Sequence, residues 1–190
     1  MNLTSSDEAG RLAPYPAMPI GLCQADAREA FPNARANALF WGEFTVGANN
    51  QGGTFVALLF EQAWGIVSRA IAVGERDSVK IAAVVVDEGG HVVAAARMDG
   101  VGFVSGHQAV RKAVASVNFG APTHAVASFA SGDPALVAAL HAESAINILP
   151  GGLPIVVDGI CVGALGVAGG HYTQDRAVAE AALADTIGDK

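Results

Sequence analysis

Two stretches of this chain constrain its fold more than any others: "KIAAVVVDEGGHVVAAARMDG" and "LPIVVDGICVGALGVAGG". Each is an apolar, β-branched run interrupted once by a short turn, the pattern of a β-hairpin. The first predicts strands Lys80–Val86 and His91–Arg97 around the turn Asp87-Glu88-Gly89-Gly90, and the second turns at Asp158-Gly159. Helical periodicity lies between and around them. "TFVALLFEQAWGIVSRAIAVG" aligns Val56, Leu59, Phe60, Ala63, Trp64, Val67 and Ile71 along one buried face, with Gly74 as the stop. "SGHQAVRKAVASVNFG" opens on Ser105 and Gln108, a capping-box pair, and stops at Gly120. Thr123 and Asp133-Pro134 mark two further helix starts. "HYTQDRAVAEAALADTIG" is a closing helix with Thr173 or Asp175 near its start. The order helix, hairpin, helices, hairpin, helix argues for an α+β domain, an antiparallel sheet with helices packed on it.

Residues 1–52 read differently, as an N-terminal extension or arm ahead of a domain spanning 53–190. They hold Pro14, Pro16, Pro19 and Pro32, a short helical stretch Ala25–Ala30, and the aromatic cluster Phe40, Trp41 and Phe44. Such a cluster suits packing on the chain's own domain or on a neighbouring subunit.

Only 15% of the residues are charged and 52% are hydrophobic, against about 25% charged in an ordinary soluble domain. These charges are too few to coat a monomer, so the surplus apolar surface is expected between subunits of a homo-oligomer. No uninterrupted apolar run approaches the roughly 18 residues of a membrane span, so no membrane is expected. A net charge of −7 without a basic cluster excludes an electrostatic footprint for nucleic acid. The N-terminus carries neither the basic nor the apolar region of a secretory signal. Cys23 and Cys161 lie far apart with no C-x-x-C, so both read as buried or neutral thiols. The expected compartment is cytoplasmic.

The glycine-rich stretch "GALGVAGGHYTQD", Gly163–Asp175, looks at first like a phosphate-cradling loop. Its glycines fall inside the second strand of a hairpin, not on the first turn of a parallel unit, and no lysine follows. Glycine in a strand serves a close backbone approach, a bend or a bulge.

Taken together, "VVVDEGGHVVAAARMDG", "VRKAVAS", "LPGGLPIVVDGICVGALGVAGG" and "QDRAVAEAAL" resemble the GlcG/HbpS family, also called the haem-degrading domain family. That family includes the C-terminal domain of PduO-type proteins, and the resemblance covers about residues 54–188. It implies a profilin-like antiparallel sheet with packed helices, assembly into dimers and higher oligomers, and haem as the ligand. Where many members have K-A-x-T-A this chain has Lys112–Ser116, with Ala115 in the threonine's place. The first helix lacks the histidine that some haem-binding relatives carry there.

Candidate chemistry gathers around a few residues. His107 lies in the first turn of its helix, four residues before Arg111 and close to Lys112, placed to accept a proton or bind a metal. His171 and Tyr172 follow Gly169-Gly170 where a strand delivers the chain to a helix start. Open N–H groups there favour an anion, giving a carboxylate or propionate seat beside an imidazole and a phenol. His171 is the candidate haem-iron ligand. Arg97 and Asp99 end the first hairpin, either as a carboxylate clamp or as a loop-fixing pair. Lys112 sits in an apolar helix face and needs an acidic or carbonyl partner unless it is reactive. His91 follows a hairpin turn and reads as solvent-facing, while His124, His141, Asp87 and Asp158 read as structural.

Two functions follow. One is a small-molecule-binding protein for haem or another tetrapyrrole. The other is a cofactor-independent hydrolase or tautomerase acting on a small unsaturated carboxylate in aromatic catabolism. In the latter, His107 or His171 is the general base, assisted by Tyr172, and Arg97 or Lys112 is the anion clamp. The sparse charge predicts a dimer of dimers or larger. Light scattering at micromolar concentration checks this, and a mass near the 19.2 kDa of one chain overturns it.

Overall fold

The computed structural model describes residues 46–48, 54–157 and 159–184. Short strands β1 (Val46–Ala48) and β2 (Thr54–Val56) pair antiparallel with each other. Then follow α1 (Phe60–Arg76), β3 (Ala82–Asp87), β4 (Val92–Arg97), α2 (Phe103–Phe119), α3 (Thr123–Ala130), α4 (Pro134–Ala142), β5 (Gly152–Val157), β6 (Ile160–Ala168) and α5 (Tyr172–Ala184). Both expected hairpins form. They join through β3 and β6 into one antiparallel sheet in the order β4-β3-β6-β5. The fold is the expected α+β arrangement.

Helices cover both faces of the sheet, which is why β3 reads as an unbroken apolar run rather than an alternating one. On one face Ala83, Val85, Leu165 and Val167 pack with Ile66, Val67 and Ala70 of α1 and with Val178 and Ala182 of α5. The Arg69 Nε–H ties these two helices by donating to the Ala182 carbonyl at 3.2 Å. On the other face Val84, Val86, Ala164 and Ala168 meet Ala109 and Ala113 of α2. A third cluster, Ala115, Ala121, Val126, Ile146 and Ile148, seals the region where α3 and the link into β5 lie beside α2.

The strand glycines take the role expected of them. Gly152 and Gly166 are cross-strand partners in β5 and β6. A Cβ on Gly166 would fall 2.0 Å from the Ala109 carbonyl oxygen, and one on Gly152 would fall 2.4 Å from that of Lys112. The backbone of α2 therefore rests directly on a bare patch of sheet, and its alanines complete the close approach.

Several local expectations are corrected. Thr54–Val56 is a strand instead of the first turn of α1, because β1 supplies a pairing partner for these β-favouring residues. The helix begins at Phe60, where the Leu59 N–H donates to Gln62 Oε1 at 2.9 Å. Its buried face is Ala63, Ile66, Val67, Ala70, Val73 and Gly74, leaving Phe60 and Trp64 exposed. Gly74 does not end the helix. It allows the Val79 carbonyl and the Ile81 side chain to approach, and α1 continues to Arg76.

Ser105 is not a cap, since α2 starts two residues earlier after Gly102. The Gln108 side chain instead accepts a hydrogen bond from Asn147 Nδ2 at 2.6 Å. Thr123 also lies inside its helix; its hydroxyl donates to the Leu149 carbonyl at 2.9 Å and accepts from the Gly152 N–H at 3.0 Å. Asp133 caps α4 as expected, and Gly120 ends α2 in the left-handed conformation. The Ala25–Ala30 helix, the Phe40, Trp41 and Phe44 cluster, and Asp158 lie outside the described residues.

Gly166→Val forces a branched side chain between β6 and the α2 backbone. It should lower stability by about 3 kcal/mol through overpacking. Urea unfolding checks this as a lower midpoint at unchanged slope; an unchanged midpoint overturns the close-approach account.

Candidate functional site

The sheet topology brings the start of β3 and β5 and the end of β4 and β6 to one end of the sheet. Most candidate residues gather there. At its centre lies Lys112, only 2% exposed. Its helix runs over the Gly152–Gly166 patch, so the long side chain can cross the sheet end beside Gly151, where φ is +123° and no Cβ stands in the way. The ammonium donates to Asp175 Oδ2 at 2.7 Å and to the Val167 carbonyl at 3.0 Å. Asp175 is 3% exposed, and its other oxygen accepts the Gly170 N–H at 3.0 Å. Burial pushes the Lys112 ammonium below its usual pKa and the Asp175 carboxyl above its own, each opposed by the other's charge.

The lysine's burial, with an acidic or carbonyl partner unless it were reactive, was legible in the sequence. Asp175 as that acid was not, because 63 residues separate the two. The available signal was a carboxylate at the helix start that follows paired glycines.

The start of α5 differs from the open anion seat expected of it. The Gly170 N–H goes to Asp175 and the His171 N–H to Gln174 Oε1 at 2.9 Å. These donors are thus held by the helix's own side chains in a capping arrangement. Gly169, with φ of +145°, lets the chain turn tightly against Lys80 and Ile81. His171 and Tyr172 are exposed, with ring centroids 4.0 Å apart, and His171 Nδ1 lies 2.8 Å from Thr173 Oγ1.

Arg97 is not paired with Asp99. Its guanidinium donates to the Val101 carbonyl, closing the loop between β4 and α2, while Asp99 is exposed. Asp87 orders the first hairpin turn, accepting from the Gly89 and His91 N–H groups at 2.9 and 2.8 Å.

His107 and Arg111 occupy the outer part of α2. The His107 ring is exposed and meets Phe103 edge-on, with centroids 6.3 Å apart. Phe103 and Val104 are themselves exposed, and no side chain caps the start of α2. Arg111 Nη2 donates to the Glu143 carbonyl over a long 3.4 Å, and its Nε is shielded without a partner. Sequence reasoning did not single out Phe103 and Val104, whose exposure only the packing reveals. His124 is half-buried, and burial and the Arg176 charge hold it below the usual histidine pKa against the pull of Glu180. No group of three or more metal-ligating side chains occurs among the described residues, and no described helix is long and apolar enough to cross a membrane.

Lys112→Met should destabilise the fold by about 3–5 kcal/mol, because Asp175 is left buried without its counter-charge. Adding Asp175→Leu should recover most of that loss. In the single variant Asp175 stays above its ordinary pKa of 3.8. The folded state then binds a proton the unfolded chain has lost, so stability falls as pH rises and returns as pH drops toward about 4. Thermal melts across pH check the sign; a Lys112→Met protein as stable as wild type at pH 7 overturns the structural role.

The family model described as "Haem degrading protein HbpS-like" matches residues 58–184. An uncharacterized 15.0 kDa protein of Citrobacter freundii, from the dhaT-dhaS intergenic region, is 35% identical over 100 residues, 52% of this chain and 70% of its own length. The crystal structure of a double mutant of Streptomyces reticuli HbpS is 28% identical with a TM-score of 0.65, covering 78% of this chain and 99% of that one. The PduOC:heme complex is 28% identical with a TM-score of 0.63, covering 68% and 94%. The motifs, the helix-covered antiparallel sheet and the extent of the family match converge on one conclusion: this chain belongs to the HbpS-like, haem-degrading family.

Proposed function

We propose that this protein binds haem or a related tetrapyrrole. The observation that carries the reading is the likeness to PduOC, a domain crystallised with heme. The residues present fit such a ligand. An imidazole nitrogen is a suitable iron ligand, and His107 and His171 are among the exposed histidines that could offer one. Phe103 and Val104 provide exposed apolar surface next to His107, and Arg111 stands one helical turn further on. Bound haem would supply an iron centre whose open coordination position such an imidazole fills.

The hydrolase or tautomerase alternative lacks support from the geometry. Lys112, one of its two anion clamps, is buried against Asp175, and Arg97, the other, is held by a backbone carbonyl. Association of copies remains part of the proposal. Phe60 and Trp64 on α1, Val92 on edge strand β4 and Ile160 at the start of β6 are exposed apolar residues that a homo-oligomer could cover.

Hemin titration followed by visible absorption tests the reading. The Soret band should shift and saturate with added hemin. A titration indistinguishable from hemin in buffer overturns haem binding by this chain.

A further inference from the structure

The geometry points to a specific haem seat on the first two turns of α2, with His107 as the axial ligand and Phe103 and Val104 as its apolar wall. This rests on the haem-binding reading and goes beyond it by choosing among the five histidines.

Four of them are poorly placed. His91 stands in the acidic Asp87-Glu88 turn, with Nδ1 3.3 Å from Asp87 Oδ1, and those carboxylates would repel the propionates of a haem. His124 is half-buried, its Nδ1 is shut away from solvent, and the Arg176 cation acts on it. His141, near the end of α4, has exposed Ala138, Ala142 and Glu143 around it, and the large apolar residues nearest it in the helix, Val137 and Leu140, are half-buried. The exposed residues around His171 are glycine or polar apart from Tyr172. An apolar macrocycle docked there would find almost nothing to cover.

His107 differs on each count. Its ring has no hydrogen-bond or ion-pair partner among the described residues, so a ring nitrogen is open to a metal. Phe103 and Val104, four and three residues earlier, share its helical face and are 75% and 50% exposed. Gly106 lies alongside, and a Cβ built on it, or on Gly102, meets nothing within 4 Å. A flat ligand can therefore come close to the helix without displacing protein. Arg111, one turn beyond His107, holds the Glu143 carbonyl only at 3.4 Å, a contact that a propionate carboxylate could replace with a stronger bond. Imidazole, apolar wall, bare surface and guanidinium together match the chemistry of a haem.

Hemin titrations of wild type and four variants test the seat. His107→Ala should weaken binding about tenfold or more and alter the Soret band, as loss of a metal-site interaction does. Exogenous imidazole should restore the wild-type spectrum to His107→Gly. Gly106→Leu should weaken binding while circular dichroism stays unchanged, since its side chain enters open space. If wild type itself does not bind, the haem reading fails. If wild type binds and His107→Ala matches it in affinity and spectrum, haem binding stands and this seat is wrong. Loss of the band in His171→Ala alone would move the seat to the start of α5. Should His107→Ala fail to fold, unaltered hemin affinity in Gly106→Leu would by itself overturn the proposal.

Discussion

A lysine ammonium that is 2% exposed cannot persist without partners, and in this protein those partners come from separate elements. Lys112 leaves α2 on one face of the sheet, passes the end of β6 at the Val167 carbonyl, and reaches Asp175 of α5, which packs on the other face. Asp175 in turn holds the Gly170 N–H, fixing the corner between strand and helix. One ion pair thus links the helix layers on the two faces of the sheet at the corner where the chain passes from β6 to α5. Such a pair need not raise net stability relative to apolar residues, but losing one member is costly. It couples the parts of the fold that end at the same edge.

The glycines make that geometry available. Gly166 and Gly152 let α2 lie on the sheet, Gly151 leaves room for the ammonium, and Gly169 allows the tight turn into α5. Glycine-rich sequence here reflects backbone contact rather than a phosphate loop. The same packing explains the small side chains of α2: Ala109 and Ala113 face the sheet because nothing larger fits.

The packing gives α2 two unlike faces. Its inner face carries the alanines and Lys112 and is committed to structure. Its outer face carries Phe103, Val104 and His107, which no described part of the chain covers. Among the residues first suspected of chemistry, Lys112 and the donors at the α5 start have partners within the chain, whereas the His107 ring is exposed. The uncommitted groups lie where the helix emerges from the body of the domain.

Sequence alone determined the two hairpins, the helix order and the α+β class, because hydrophobic periodicity and turn residues are local properties. It also pointed to burial of Lys112 in an apolar helix face, leaving open whether the lysine is paired or reactive. The first residues of α1 and α2 were misplaced because competing partners decided them: β1 for Thr54–Val56 and Asn147 for Gln108. Tertiary structure alone decided that Asp175 is the partner of Lys112, that Arg97 serves a loop carbonyl, and that His107 stays open while the start of α5 is capped. The physical reason is the same in each case. Which charges meet, and which face stays uncovered, depends on contacts between residues far apart in the chain, and no local pattern encodes them.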